Sequence, residues 1–338
     1  MVKFLIYVVV VLAVYAIAQL VRVFEIASAL KGSKPHEIND TDNKNQGRMM
    51  LLFWLAFVVF CIWEVMEHGH KILPKAASDV GADIDWLMWL NMSIISVVFL
   101  ITNTLLFYFA YKYQGSKSRT ATFYPHNNKL ELIWTVVPAV VLFVIIFLGI
   151  KKWNNITDVP SNDAIVIELY AKQFDWTARY AGKDNVLGKS NYKLISGSNS
   201  LGMDSTDKAG WDDMLVRNEF HIPKGKQISF RMNSRDIIHS AYFPHFRQQM
   251  NAVPGMTTEM HFVPTMTTKE MRAETKNDKF DYVLLCNKIC GASHYNMQMI
   301  VVVDEEKEYA EWLSKQKPFF TKTVLTSNEE NKKIALNN

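Results

Sequence analysis

Two thiols, an imidazole and a thioether fall within one short stretch near the C-terminal end, Cys286-Asn-Lys-Ile-Cys290-Gly-Ala-Ser-His294-Tyr-Asn-Met297. The order is Cys-x3-Cys-x3-His-x2-Met, a soft donor set. Thiolate and thioether select copper, zinc or iron–sulfur, while imidazole suits copper and zinc alike. Zinc sites pair cysteines but do not recruit methionine, whereas a weak methionine beside cysteine and histidine marks electron-transfer copper. So compact a set needs a donor from elsewhere, and His239 in Asp236-Ile-Ile-His-Ser-Ala-Tyr-Phe-Pro244, just past a strand-like run, is the best placed. Singly, each residue has an ordinary reading. The cysteines could form a disulfide on the oxidising side of a membrane, His239 could be a satisfied core or surface histidine, and Met297 could be core filler. Together and in this order they read as one metal site.

These residues carry a family resemblance. Over roughly residues 87–312 the sequence resembles subunit II of the haem–copper oxidases, the subunit that holds the binuclear CuA centre behind a two-span membrane hairpin. The resemblance implies that Cys286 and Cys290 bridge two copper ions. His239 and Met297 would complete one copper, and His294 and the backbone carbonyl of Lys288 the other. It further implies an electron relay that accepts electrons from a cytochrome c-like haem and passes them to haem in subunit I. Oxygen would be reduced to water there, coupled to proton translocation, so this chain needs no haem of its own. No Cys-x-x-Cys-His occurs to attach one. The rival of a different class is a membrane-tethered module that stores or delivers copper, but the Met- or His-rich runs of such carriers are missing. A quinol-oxidase-type subunit without copper is at odds with the intact ligand set.

The same resemblance marks three further places. In Ala171-Lys-Gln-Phe-Asp-Trp-Thr177, Phe174 matches the aromatic position where the family passes electrons to copper, and Trp176 matches the next one. Read as a strand, this stretch puts both rings on one face, with Phe174 toward the donor and Trp176 buttressing the copper loop. Glu131, in Asn128-Lys-Leu-Glu-Leu-Ile-Trp-Thr135, matches a carboxylate at the entrance of a proton path into subunit I; its ordinary reading is an interfacial charge beside Lys129. Lys288 departs from the family, which has a glutamate there reaching a Mg²⁺ or Mn²⁺, a hard cation that an ammonium cannot ligate.

The elements that must position these residues follow from composition. The chain has 338 residues, nearly half hydrophobic, with a net charge of +4 that argues against a nucleic-acid partner. Apolar runs at Phe4–Val21, Met49–Met66, Leu87–Tyr111 and Leu132–Ile150 predict four spans over residues 1–153, with Pro138 a kink in the last. The first run is long for a signal peptide, although Ala27-Ser-Ala29 could pass for a cleavage site; a retained span is the expectation. Residues 25–48 read as a polar linker. Trp86, Trp89, Tyr111 and Trp153 gather at the ends of the spans, as interfacial belts do.

Loop 112–129 carries Lys112, Lys117, Arg119 and Lys129 and no acid, so it is expected to be cytoplasmic. Loop 67–86, with four acids against two lysines, is expected outside. The copper motif then lies on the outer, periplasmic side of a bacterial inner membrane. The extra N-terminal spans fit a bacterial form.

From residue 154 the pattern turns to short strands. Ala164–Tyr170, Gln227–Met232, Asp281–Leu285 and Met299–Val303 fit a β-sandwich. The expected fold is a membrane-anchored all-β protein, with transmembrane helices followed by a cupredoxin-like Greek-key β-sandwich over 154–312. Residues 181–216 are expected to be a surface-loop insertion, and 313–338 a polar tail, either disordered or docked on a partner.

Overall fold

The computed structural model describes residues 2–30 and 39–320, with side chains from Tyr7 onward. Four helices are long and apolar enough to cross a membrane: α1 (Val2–Leu30), α2 (Asp40–His68), α3 (Asp79–Lys112) and α4 (Asn128–Thr157). The polar stretch 25–48 is therefore not simply a linker. Its first residues finish α1. From Asp40 it forms the opening turns of α2, started by a capping box in which Asn39 accepts from the Asp42 amide and Asp42 accepts from the Asn39 amide. The candidate cleavage site Ala27–Ala29 lies in the last turn of α1.

The chain divides into two compact units. In the first, residues 1–70 and 94–131, α2 packs on the second half of α3. Trp54 is buried there, donates to Thr104 Oγ1 at 3.2 Å and stacks on Phe107 with centroids 5.5 Å apart. Asp40 accepts from the Ser116 hydroxyl and the Lys117 amide, which fastens the start of α2 to the basic loop after α3.

The second unit, residues 71–93 and 132–338, holds two five-stranded sheets. Its strands are β1 (Ile165–Lys172), β2 (Asp175–Tyr180), β3 (Met214–Arg217), β4 (Glu219–Pro223), β5 (Ile228–Ser234), β6 (His239–Phe243), β7 (Gln248–Ala252), β8 (Thr258–Phe262), β9 (Tyr282–Cys286) and β10 (Gln298–Asp304). One sheet runs β3-β2-β1-β5-β8 and the other β4-β10-β9-β6-β7. Helix α5 (Thr268–Thr275) precedes β9 and α6 (Glu306–Ser314) follows β10. The two sheets close over apolar residues that alternate along the strands, such as Ile167 and Leu169 on β1 and Ile228, Phe230 and Met232 on β5, all fully buried. Phe230, Phe243, Phe246 and Phe262 form an aromatic cluster at the centre, with centroids 4.9–6.2 Å apart.

The segment before α3 belongs to this β unit. Ala77 donates its amide to the His245 carbonyl and accepts from Thr265, while Arg247 holds Asp85 at 2.7 Å. Loop 67–86, expected outside, is thus fastened to the domain that carries the metal motif. The basic loop 112–129 follows α3 within the first unit.

Two expectations about the rest of the chain need revision. The 181–216 insertion is folded and not a plain surface loop. Asn199 clamps Met203 through both its amide and its carbonyl, Leu201 and Met203 pack on Phe320, and the last residues form edge strand β3. The start of the expected tail also docks on its own domain. Pro318 bridges to Met214, the Phe319 amide donates to the Asp213 carbonyl, and Phe320 is buried. The remainder of the tail, 321–338, lies outside the described residues.

Candidate metal centre

Three neighbouring strands of the second sheet deliver the predicted ligands. His239 opens β6 and Cys286 closes β9, and Ala241 pairs with Cys286 across the two. Met297 stands just before β10, with Cys290 and His294 on the loop between β9 and β10. The loop is closed at its base, where the Cys286 amide donates to the Met297 carbonyl at 3.0 Å and the Asn287 amide to the Ser240 carbonyl at 3.0 Å. Rigid strand ends therefore fix the outer ligands, and short internal turns fix the inner ones: His294 N–H to Gly291 and Met297 N–H to His294.

The donor atoms converge. Cys286 Sγ lies 3.7 Å from His239 Nδ1, 3.2 Å from the Lys288 carbonyl oxygen and 3.8 Å from Cys290 Sγ. Cys290 Sγ lies 3.5 Å from His294 Nδ1 and 3.8 Å from Met297 Sδ. His239, Cys286 and Cys290 present their ligand atoms within 4.8 Å of one another, all three buried. At 3.8 Å the sulfurs are not bonded, which removes the disulfide reading; bonded sulfurs stand about 2.05 Å apart. Two sulfurs each about 2.3 Å from one tetrahedral ion would stand about 3.8 Å apart, so the spacing fits a shared metal. The set of two thiols, two imidazoles, a thioether and a carbonyl suits a soft metal and offers no hard carboxylate. The Lys288 side chain is exposed.

Two partners went unassigned in the sequence. Asp236 Oδ1 faces His239 Nε2 at 2.8 Å, which leaves Nδ1 directed at Cys286. Such a carboxylate fixes the tautomer and the ring plane of a ligating histidine. Burial pushes the Asp236 carboxyl up, but the Gln173 amide, the His239 ring and the Ile237 amide outweigh it, so Asp236 sits below the ordinary carboxylate range. Asp-x-x-His is the spacing that could have found it. The second partner is Gln173, whose amide donates to Asp236 Oδ2 at 2.7 Å and whose Nε2 donates to the Cys290 carbonyl at 2.5 Å.

Phe174 and Trp176 do not share one strand face. Gln173 and Phe174 form the turn between β1 and β2, and only Trp176 lies in a strand. Trp176 is fully buried, edge-on to the His239 ring with centroids 6.2 Å apart, and its Nε1 has no hydrogen-bond partner. Phe174 lies over the metal loop. A Cβ built on Gly291 would stand 2.8 Å from its ring, and Gly291 holds φ +135, so both space and backbone demand glycine there. Glu131 is exposed in the first turn of α4 and accepts weakly from the Asn127 amide at 3.4 Å, an arrangement that caps the helix.

Burial, reinforced by Cys286, pushes the Cys290 thiol up to about 11. A metal must displace that proton to bind thiolate. The thiol keeps its proton everywhere below that value, so loading strengthens as pH rises. Copper affinity is expected to fall about tenfold per pH unit of acidification for each thiol proton displaced. Chelator competition at pH 6 and pH 8 measures this, and equal affinities would contradict it.

Residues 63–151 match the family described as Cytochrome C oxidase subunit II, transmembrane domain, and residues 165–304 match Cytochrome C oxidase subunit II, periplasmic domain. The chain belongs to the cytochrome c oxidase subunit II family. Among subunit II relatives, the alternative cytochrome c oxidase subunit 2 of Bradyrhizobium diazoefficiens is 34% identical over 224 residues, covering 65% of this chain and 76% of that protein. Cytochrome c oxidase subunit 2 of Cereibacter sphaeroides is 26% identical over 260 residues, covering 73% and 80% respectively. As a subunit II, the chain is a membrane-anchored component of a haem–copper oxidoreductase, with a periplasmic domain and a His-Cys-Cys group suited to copper.

Proposed function

We propose that this subunit II holds two copper ions and relays single electrons from an external cytochrome c or another haem-bearing protein to haem in subunit I. In this reading Cys286 and Cys290 are the shared ligands. His239 and Met297 serve one ion, and His294 and the Lys288 carbonyl the other. The observation that carries the reading is the pair of free thiols 3.8 Å apart, flanked by Nδ1 of His239 and of His294. Bound copper would supply a one-electron carrier whose charge spreads over both thiolates. The chain's own work is to keep the ligands still between oxidation states. Strand ends hold Cys286 and His239, Asp236 sets the His239 tautomer, and burial of Cys290 and Met297 keeps water from the sulfurs. We place the assembly, with subunit I and the other oxidase subunits, in a bacterial inner membrane with the copper domain on the periplasmic side. Metal analysis of the purified oxidase tests this, after subtracting any copper in subunit I. Two coppers per chain are expected here, and zinc or a single copper would refute it.

Two side chains have proposed roles on the electron and proton routes. Phe174 packs on Gly291 beside Cys290, and its proposed place is between the copper loop and the donor. Phe174→Ala is expected to slow copper reduction by the donor roughly tenfold or more, through misplacement of the docked haem, with copper content unchanged. Stopped-flow reduction kinetics measure it, and unaltered rates in a copper-replete variant would remove Phe174 from the path. Glu131 is proposed at the entrance of a proton path into subunit I. Glutamine keeps a cap acceptor for the Asn127 amide but cannot carry a proton. Glu131→Gln should therefore slow oxygen turnover severalfold while leaving electron entry unchanged; full turnover would leave Glu131 as a helix cap only.

A further inference from the structure

The turn between β1 and β2 grips the metal loop at two points. One is the Phe174 ring against Gly291; the other is the Gln173 side chain, which donates to the Cys290 carbonyl at 2.5 Å. Among the described residues, no other hydrogen bond reaches that carbonyl. The same glutamine donates its backbone N–H to Asp236 Oδ2 at 2.7 Å, and the other oxygen of Asp236 holds His239 Nε2 at 2.8 Å. One residue therefore spans from the peptide of one thiol ligand to the carboxylate behind an imidazole ligand. Cys290 and His239 come from different segments of the chain, and their donor atoms each meet Cys286 Sγ.

We propose that Gln173 is a positioning residue of the copper centre, clamping Cys290 to the Asp236–His239 pair and so setting the ligand geometry and the potential of the metal. The proposal rests on the copper reading above. Its physical basis is the Cys290 peptide. A hydrogen bond to that carbonyl fixes the peptide plane, and with it the direction in which Cβ and Sγ leave the backbone. Without the donor the carbonyl turns to water and the loop between Cys286 and His294 keeps only the Phe174 contact to the opposite sheet, since β1 and β2 belong to one sheet and β6 and β9 to the other. Gln173 is itself exposed, so its place in the fold gives no packing reason for its replacement to disturb the metal. A surface glutamine without this role would be neutral.

The test uses the assembled oxidase with Gln173→Glu and Gln173→Ala. Glutamate keeps the size of the side chain but has no N–H to give, and its charge faces the Cys290 carbonyl. Copper per chain, the electron paramagnetic resonance hyperfine pattern, the midpoint potential and copper affinity by chelator competition are measured on each. The clamp predicts altered hyperfine couplings and a shifted potential in both variants. It also predicts copper affinity weakened about 10–100-fold, the usual effect of removing an outer partner of a metal ligand, with glutamate the worse. Copper loss with an unchanged thermal transition of the β domain supports the clamp; copper loss accompanied by early unfolding overturns it in favour of a purely structural role. Wild-type couplings, potential and affinity in both variants overturn it alone. A wild-type chain without a shared-copper spectrum overturns the copper reading, and the clamp with it.

Discussion

Serine in place of Cys286 or Cys290 is expected to empty the metal site while the β domain stays folded. A hydroxyl is a hard donor that keeps its proton at neutral pH, so it cannot bridge two soft ions as a thiolate does. Each sulfur also stands at a junction. Cys286 Sγ meets His239, Lys288 and Cys290, and Cys290 Sγ meets His294 and Met297, so either loss breaks the set in two. The fold should survive either loss. Both residues sit at the loop end of the sandwich, and a buried hydroxyl there costs about 1–3 kcal/mol if left without a partner. Copper content should drop to background in both variants with a near-native melting transition. Retention of copper at wild-type level in either one would show that the ligand set is misassigned.

Trp176→Ala is the second large effect, and here stability and metal fall together. The indole is fully buried at the end of the sandwich, paired across the hairpin with Ala171 and edge-on to His239. Deleting such a side chain costs about 3–5 kcal/mol, because the surrounding sheets relax only partly into the cavity. The His239 ring loses its wall, so copper occupancy should fall along with the denaturation midpoint. Trp176→Phe is the control. It keeps the ring against His239 and removes an indole N–H that has no partner, so its cost should be small and copper should remain. Urea unfolding with parallel copper counting measures both. A Trp176→Ala chain of wild-type stability and full copper would contradict the buttress.

The converging donor residues were legible because their chemistry lies in residue type and order; four long apolar helices and the strands β1, β5, β9 and β10 were legible from apolar runs and alternation. What escaped has physical reasons. Strand alternation placed Phe174 and Trp176 on one face, yet Lys172 pairs with Asp175, which leaves Gln173 and Phe174 as the turn. Tight hairpins usually announce themselves with Asn-Gly or Asp-Gly, and Gln-Phe gives no such sign. The insertion looked formless because side chain–backbone bonds such as those of Asn199 fold it, and these have no period. The opening turns of α2 are polar and read as linker, although Asn39 and Asp42 stand at capping-box spacing. The apolar pair Phe319-Phe320, near the head of the tail, could have signalled that its start docks on the domain. Asp236 and Gln173 act through one or two hydrogen bonds that exist only once β1, β6 and the metal loop come together.

This subunit II is proposed to carry one unpaired electron shared over two copper ions held by Cys286 and Cys290. The most direct measurement is the electron paramagnetic resonance spectrum of the oxidised, purified oxidase with copper counted in the same sample. A mixed-valent signal is expected, in which one electron couples equally to two copper nuclei, lost in Cys286→Ser and Cys290→Ser. A spectrum of a single, isolated copper at this site, or no copper signal from a chain loaded with zinc, would contradict it.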